Sequence, residues 1–380
     1  MTVALITGIT GQDGSYLAER LIAEGVEVHG LVLAGELPAG SSEGGSAAQS
    51  PAITYHVGDL GDPASIAAVV AEVQPDEIYN LGGISSVAFS WEHPTLTGQV
   101  SGLGAVAIME AALRLQTDSG SQVRVLQTSS AEIFGSPATT PQTEETAINP
   151  VNPYGAAKAY AHLSARVFRG QGLGVSTVIL YNHESSRRPE TFVTRKITAA
   201  VARIARHLAE GCVACESGAA ADSSAGGPGA ENQAQPIGDA GIWKPSNMRR
   251  PGTVNQAGPG CDEGILRLGN LEARRDWGWA PDYVEAMILA NRAPVADDYI
   301  VATGASHSIA EFAAGAFARV GITDWQRYVV VDQDLVRPVD AALQVGDAAK
   351  ARTQLGWQPT VTFADLVNRM VDHDVAALAN

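Results

Sequence analysis

Over its first 180 residues the chain alternates short apolar runs with stretches whose apolar positions recur every three or four residues. The runs at 3–7, 26–33, 53–57, 77–81, 123–128 and 175–180 are short, continuous and rich in Val, Ile and Leu. That is the pattern of parallel strands buried on both faces. Between them, 15–24 carries Leu17, Leu21 and Ile22 on one helical face, and 63–73, 100–115 and 154–170 also read as helices. Such alternation predicts an α/β fold, a doubly wound parallel sheet with helices on both faces. Ligands of these sheets bind beyond the carboxyl ends of the strands, where the chain places its polar clusters: Asp59-Leu60, the turn after Leu81, and Ser129 to Glu132.

The first strand runs into Gly8-Ile9-Thr10-Gly11-Gln12-Asp13-Gly14 and then into a helix. Glycines at 8, 11 and 14 suit a tight turn, close approach of backbone to a pyrophosphate, and close helix–strand packing. The helix N-terminus adds free N–H groups and a positive dipole end. These residues are candidates for dinucleotide binding, with Asp59 and Leu60 near the adenine and Leu81, Gly82 and Ser85 near the middle of the cofactor. Further on, Tyr154 and Lys158 are four apart and share a helix face. A phenol titrates near ~10 when unperturbed, and a neighbouring ammonium is expected to lower it. With Ser130 at a strand end to hold a hydroxyl, Tyr154 could take an alcohol proton while a nicotinamide takes the hydride.

Composition narrows the partners. The chain has 380 residues, 45% apolar, with a formal net charge of −16. A surface that acidic argues against nucleic acid or anionic membrane as a broad partner, but not against one small anion held by local donors. The N-terminal MTVALITG has no basic region and no long apolar stretch follows, so a cytoplasmic protein without a membrane span is expected. Three cysteines make no disulfide framework, and Cys212, Cys215 and Cys261 fall short of a four-ligand zinc set, so no metal is expected.

The motifs together resemble the extended short-chain dehydrogenases/reductases, and within them the GDP-mannose 4,6-dehydratase family. The resemblance rests on Ala4 to Glu19 with its Gly-Gln-Asp-Gly turn, on 74–82, Pro153 to Lys158, Asn182-His-Glu-Ser185, Arg187-Arg188 and Glu190 to Ile197. Leu268 to Leu271, Arg275-Asp-Trp-Gly278 and Leu355-Gly-Trp357 extend it. It implies a Rossmann domain at 1–181, joined by about 284–304, and a smaller α/β GDP-sugar domain at 182–283 and 305–380. It implies conversion of GDP-mannose to its 4-keto-6-deoxy product by internal redox, a hydro-lyase reaction. Ser130, Glu132, Tyr154 and Lys158 are then catalytic, with Tyr154 as the redox base and Glu132 moving the C5 proton. His183 and Arg188 match cofactor contacts. Ser85, Asn182, Val193, Lys196 and Arg275 match contacts to the GDP-sugar, and Arg337 with Asp340 matches contacts to its ribose and phosphates. The alternatives are an epimerase or 4-keto reductase on the same fold, or a non-catalytic nucleotide-binding relative.

Three departures from the family stand out. The cofactor expected is NADP, yet the second strand ends in Leu33-Ala34-Gly35-Glu36 without the family's arginine for the 2′-phosphate, which leaves NAD open. The same region joins dimers into tetramers in the family, so a homodimer is expected and a tetramer is the alternative. Ala131 replaces a common serine. Finally, 211–264 holds eleven of the 40 glycines and all three cysteines, without apolar periodicity, and reads as a disordered low-complexity insertion.

Overall fold

A computed structural model describes residues 1–37, 45–47, 50–210, 264–335 and 343–379. The expected insertion, its three cysteines, Arg337 and Asp340 lie outside the described residues, apart from Gly264.

The six predicted strands join two unpredicted ones, Gly45–Ala47 and Asp298–Val301, in one sheet. In chain order its strands are β1 (Val3–Thr7), β2 (Glu27–Val32), β3 (Gly45–Ala47), β4 (Ser50–Val57), β5 (Glu77–Asn80), β6 (Arg124–Ser130), β7 (Gly174–Leu180) and a later strand at Asp298–Val301. Their order is Asp298–Val301, β7, β6, β5, β1, β2, β4, β3, parallel throughout except for β3. Strand order reverses between β1 and β5, and the crevice of a doubly wound sheet opens at that point. The continuous apolar runs split by alternation. In β1, Ala4 and Ile6 enter one core while Leu5 enters the other. In β6, Leu126 and Val125 part in the same way.

Helix α1 (Gln12–Ala23) covers the first face together with Ala280–Asn291, through Leu17, Leu21, Tyr283 and Met287. On the second face lie α2 (Pro63–Val73), α3 (Val87–Glu92), α4 (Pro94–Thr97), α5 (Gly104–Ser119) and α6 (Pro153–Gly170). Pro94 to Ser119 is helical throughout, with a wide turn at Gly98–Leu103. By length and a mean hydropathy of 1.3 this 26-residue run could cross a membrane, but over half of its most apolar window is buried inside the protein. There Ile108, Met109 and Ala112 pack with Ile66 and Val70 of α2 and Ala161 and Ala165 of α6.

Most of the remaining elements build a smaller part. β8 (Asn182–Glu184), α7 (Val193–Ala209), β9 (Leu266–Leu268) and β10 (Arg274–Trp279) come first, and the chain then returns to the large sheet through α8 (Ala280–Asn291), the helix already placed on its first face. β11 (Asp298–Val301) then completes the edge of the large sheet beside β7. β12 (Ser306–Ser308), α9 (Ile309–Arg319), β13 (Val329–Val331), β14 (Leu343–Gln344) and α10 (Phe363–Ala379) follow. Helices α7, α9 and α10 enclose a third core of Ile197, Val201, Phe312, Phe317, Leu366 and Met370. β10 is the spine of this part, pairing with β8, β12 and β14.

Packing accounts for two residues of the Arg275-Asp-Trp-Gly278 stretch. Asp276 is fully buried and accepts from Thr303 N and Oγ1, Gly304 N and Gly346 N, which ties β10 to the link after β11 and to the chain after β14. Gly278 faces the Tyr283 ring so closely that a Cβ would overlap it, and that ring stacks on His183 at 4.8 Å.

Candidate functional site

The glycine turn lines the switch-point crevice. Gly8 has φ +68°, and a Cβ there would stand 2.9 Å from the backbone of Gly82 at the end of β5. Gly14 lies inside α1 rather than ahead of it, because the helix begins three residues earlier than its apolar face suggests. A Cβ at Gly14 would collide with the Gly8 carbonyl and Ile9 Cα, so its absence lets the first turn rest on the strand end. Gly11 is the N-cap of α1 and supplies no capping side chain. A cradle of backbone N–H groups at a helix N-terminus, closed to any Cβ, suits a pyrophosphate. Around it, Thr10 is exposed and Ile9 is buried against Gly30, so Ile9 can meet a ligand only through its backbone. Asp59 accepts from Gly61 N at 2.7 Å, Leu60 packs under Gly82, Leu81 is half-buried and Ser85 is exposed.

The Gly-Gln-Asp-Gly turn and the Asn-His-Glu-Ser stretch meet directly. Asp13 Oδ2 lies 2.9 Å from His183 Nε2, and His183 Nδ1 donates to Tyr181 O at 2.8 Å. Gln12 Nε2 donates to His183 O, and Ser185 Oγ donates to Gln12 Oε1. Burial opposes charge on Asp13, but His183 and then Arg188 outweigh it and hold the carboxyl down at about 2. Burial likewise opposes the His183 cation, yet Asp13 raises it above its ordinary value. Two acceptors, one on each ring nitrogen, favour the imidazolium. Arg188 lies over the Phe192 ring with its Nε 3.2 Å from Glu184 Oε2.

Ser130, Glu132 and Tyr154 converge at the carboxyl end of β6. Ser130 Oγ accepts from Glu132 N at 3.3 Å, and Ser130 favours the ionised form of the Tyr154 phenol. Glu132 Oε2 accepts from Asn152 Nδ2 at 2.7 Å and Oε1 from Gln344 Nε2 at 3.4 Å. Asn152 and Gln344 were not legible as site residues: one reads as a helix cap, the other as a strand residue 212 positions from its partner.

Lys158 lies one helical turn after Tyr154. Its ammonium is buried and turned to Thr128, 3.1 Å from the carbonyl and 3.3 Å from Oγ1. Burial pushes the Tyr154 phenol up and Glu132 adds to this, while Ser130 and Arg188 favour the phenolate. Burial also lowers Lys158 to about 8. Behind Thr128 a buried chain crosses the strand ends. Thr7 Oγ1 donates to Asn80 Oδ1, Asn80 Nδ2 to Gln127 Oε1, and Gln127 Nε2 to Thr128 O.

Of the expected sugar-nucleotide set, Asn182, Val193, Lys196 and Arg275 lie across the crevice in the smaller part. Asn182 opens β8 and pairs with Trp277, while Val193 is the first residue of α7. Lys196 is half-buried one turn on, lowered by burial and held up by Asp332. Arg275 is buried in β10, opposite Gln344, with Nη1 donating to Arg274 O. Thus Gln344 links the strand bearing Arg275 to Glu132. Among the described residues no His, Cys, Asp and Glu group could hold a metal ion.

The fold recurs in solved nucleotide-sugar enzymes. UDP-glucose 4-epimerase of Thermotoga maritima matches with a TM-score of 0.74 at 17% identity, over 99% of this chain and 100% of that one. dTDP-glucose 4,6-dehydratase of Bacillus anthracis, solved with NAD, matches with a TM-score of 0.68 at 15% identity, over 98% and 96%. The architecture is therefore that of the Rossmann-type epimerases and dehydratases. Sequence comparison is more specific. The family model for GDP-mannose 4,6 dehydratase matches residues 5–220 and 251–370. GDP-mannose 4,6 dehydratase 2 of Arabidopsis thaliana is 37% identical over 98% of this chain and 87% of its own length, and the Homo sapiens GDP-mannose 4,6 dehydratase is 35% identical over 98% and 91%. The chain belongs to the GDP-mannose 4,6 dehydratase family. The family model passes over 221–250, within the stretch read as an insertion.

Proposed function

We propose that this chain is a GDP-mannose 4,6-dehydratase that releases water from GDP-mannose and yields GDP-4-keto-6-deoxy-mannose. The observation that carries the reading is Glu132 beside Tyr154 and Ser130. A tyrosine base alone serves an oxidation or an epimerisation, whereas dehydration needs a second acid–base group for the C5 proton. A nicotinamide dinucleotide in the glycine-lined crevice would accept a hydride from C4 and return it to C6.

The protein groups then act in order. Ser130 and Tyr154 hold the C4 hydroxyl, and Tyr154 takes its proton as C4 becomes a ketone. The ketone acidifies the C5 hydrogen, and Glu132 removes it as a proton. Glu132 returns a proton to the C6 hydroxyl, which leaves as water, forming a C5–C6 double bond. Hydride addition at C6 and return of the proton held by Tyr154 to C5 complete the product and restore both protein groups. One water is lost and the cofactor ends as it began. Lys158 holds the Thr128 end of β6, and so the placement of Ser130. Ser85, Asn182, Val193, Lys196 and Arg275, with Arg337 and Asp340, bind the GDP-sugar, the basic groups meeting its phosphates.

For the cofactor, the family expectation is NADP. The end of β2 offers an exposed Glu36 and no cation, and no Lys or Arg occurs between Arg20 and Arg114. We read this as a weakened NADP preference with NAD accepted. The assembly proposed is a homodimer. The test of function is incubation with GDP-mannose and catalytic NADP or NAD. The expected product is lighter by one water with no net change in reduced cofactor; net cofactor consumption would overturn the reading.

A further inference from the structure

Asn152 hydrogen-bonds Glu132 and opens the helix that carries Tyr154. It is the N-cap of α6, its Oδ1 accepts from Gly155 N at 2.7 Å, and it is 7% exposed. Because a backbone N–H can only donate, this contact fixes which end of the amide faces the helix. Nδ2 is thereby aimed at Glu132 Oε2, 2.7 Å away. Packing brings the same elements together: a Cβ on Gly155 would stand 2.5 Å from the Glu132 carbonyl. Asp and Ser cap a helix as well as Asn does, but only Asn adds an N–H donor on the far side. Capping therefore does not by itself account for the residue type.

We propose that Asn152 is a positioning residue that fixes Glu132 relative to Tyr154. One amide oxygen locks the start of the helix that carries Tyr154 and Lys158, and its amide nitrogen holds the Glu132 carboxylate at a set distance from that helix. The role rests on the dehydratase reading, and within it serves the elimination rather than the C4 oxidation. Gln344, on the other carboxylate oxygen, leaves the group oriented from one side only when Asn152 is changed.

The test uses Asn152→Asp and Asn152→Ser, both of which retain a cap, in the full chain supplied with cofactor and GDP-mannose. Wild type is measured first, so that failure of the dehydratase reading shows before any variant is made. The expected result for both variants is a melting temperature and KM close to wild type with kcat lowered about tenfold or more, given the 10²–10⁴ range of acid–base contributions. Reduced nicotinamide should form at the wild-type rate in a single turnover and then persist. Solvent deuterium should enter C5 more slowly. Unchanged kcat in either variant would overturn the proposal. So would an equal slowing of C4 oxidation and elimination, or a loss of melting temperature that accounts for the lost activity, because each would make Asn152 a helix cap only.

Discussion

At the scale of single residues, the site works by imposing charge states and directions on a few buried groups. Tyr154 is held up by burial, so the phenolate has to be drawn out by its neighbours rather than being present at rest. Tyr154→Phe should keep the fold and lower kcat by about 10² or more, as read by product formation. The Asp13–His183 pair makes a pH prediction. Asp13 is depressed from 3.8 to about 2, so its contribution is complete above its ordinary value and is lost as pH falls towards 2. His183 is raised above 6.5, so its contribution is complete below that value and is lost as pH rises through the raised one. Wild type should therefore lose more urea stability between about pH 5 and about pH 9 than His183→Asn does. A variant that retains the full wild-type difference would show that the pair does not link α1 to β8.

At the scale of elements, glycines decide which segments can touch. Gly14→Ala would push α1 off the β1 end, where the obstructing atoms are backbone and cannot turn aside. Overpacking of this kind costs about 1–3 kcal/mol, and denaturant melts should show it together with loss of dinucleotide binding. The end of β2 sets the second element-scale prediction. With Glu36 in place of a cation, the measured affinities for NADP and NAD should differ by less than about tenfold, since a bidentate arginine–phosphate contact is the strong term that is missing. Strong NADP selectivity would mean that a basic group from elsewhere in the chain reaches the 2′-phosphate.

At the scale of the whole molecule, Tyr160, Leu163 and Val167 form an exposed apolar stripe on α6, next to exposed Trp91 and Leu103 on the adjoining helices. A stripe of this kind fits a second copy of the chain. Leu163→Glu with Val167→Glu should convert the expected dimer to monomer in sedimentation, and a wild type that already sediments as a monomer would remove that assembly. Much of this organisation was legible in the residues. Apolar runs bounded by glycine and polar turns gave six of the eight strands of the large sheet to within about three residues at either end, because a strand buried on both faces tolerates little else, whereas the edge strands β3 and β11 were not predicted. The Gly8, Gly11 and Gly14 spacing and the Tyr154–Lys158 pair marked the crevice, because close backbone approach and a helical repeat are local requirements written in adjacent positions. The contacts that make the site were not legible. Asp13 with His183, Glu132 with Gln344, and Lys158 turned to Thr128 join residues from separate elements, and hydrogen-bond direction has no sequence period. Local sequence thus determined the elements and the types of chemistry they carry. Only the tertiary structure decided which groups face one another, because burial and distance, which set charge and proton transfer, exist only once the elements have packed.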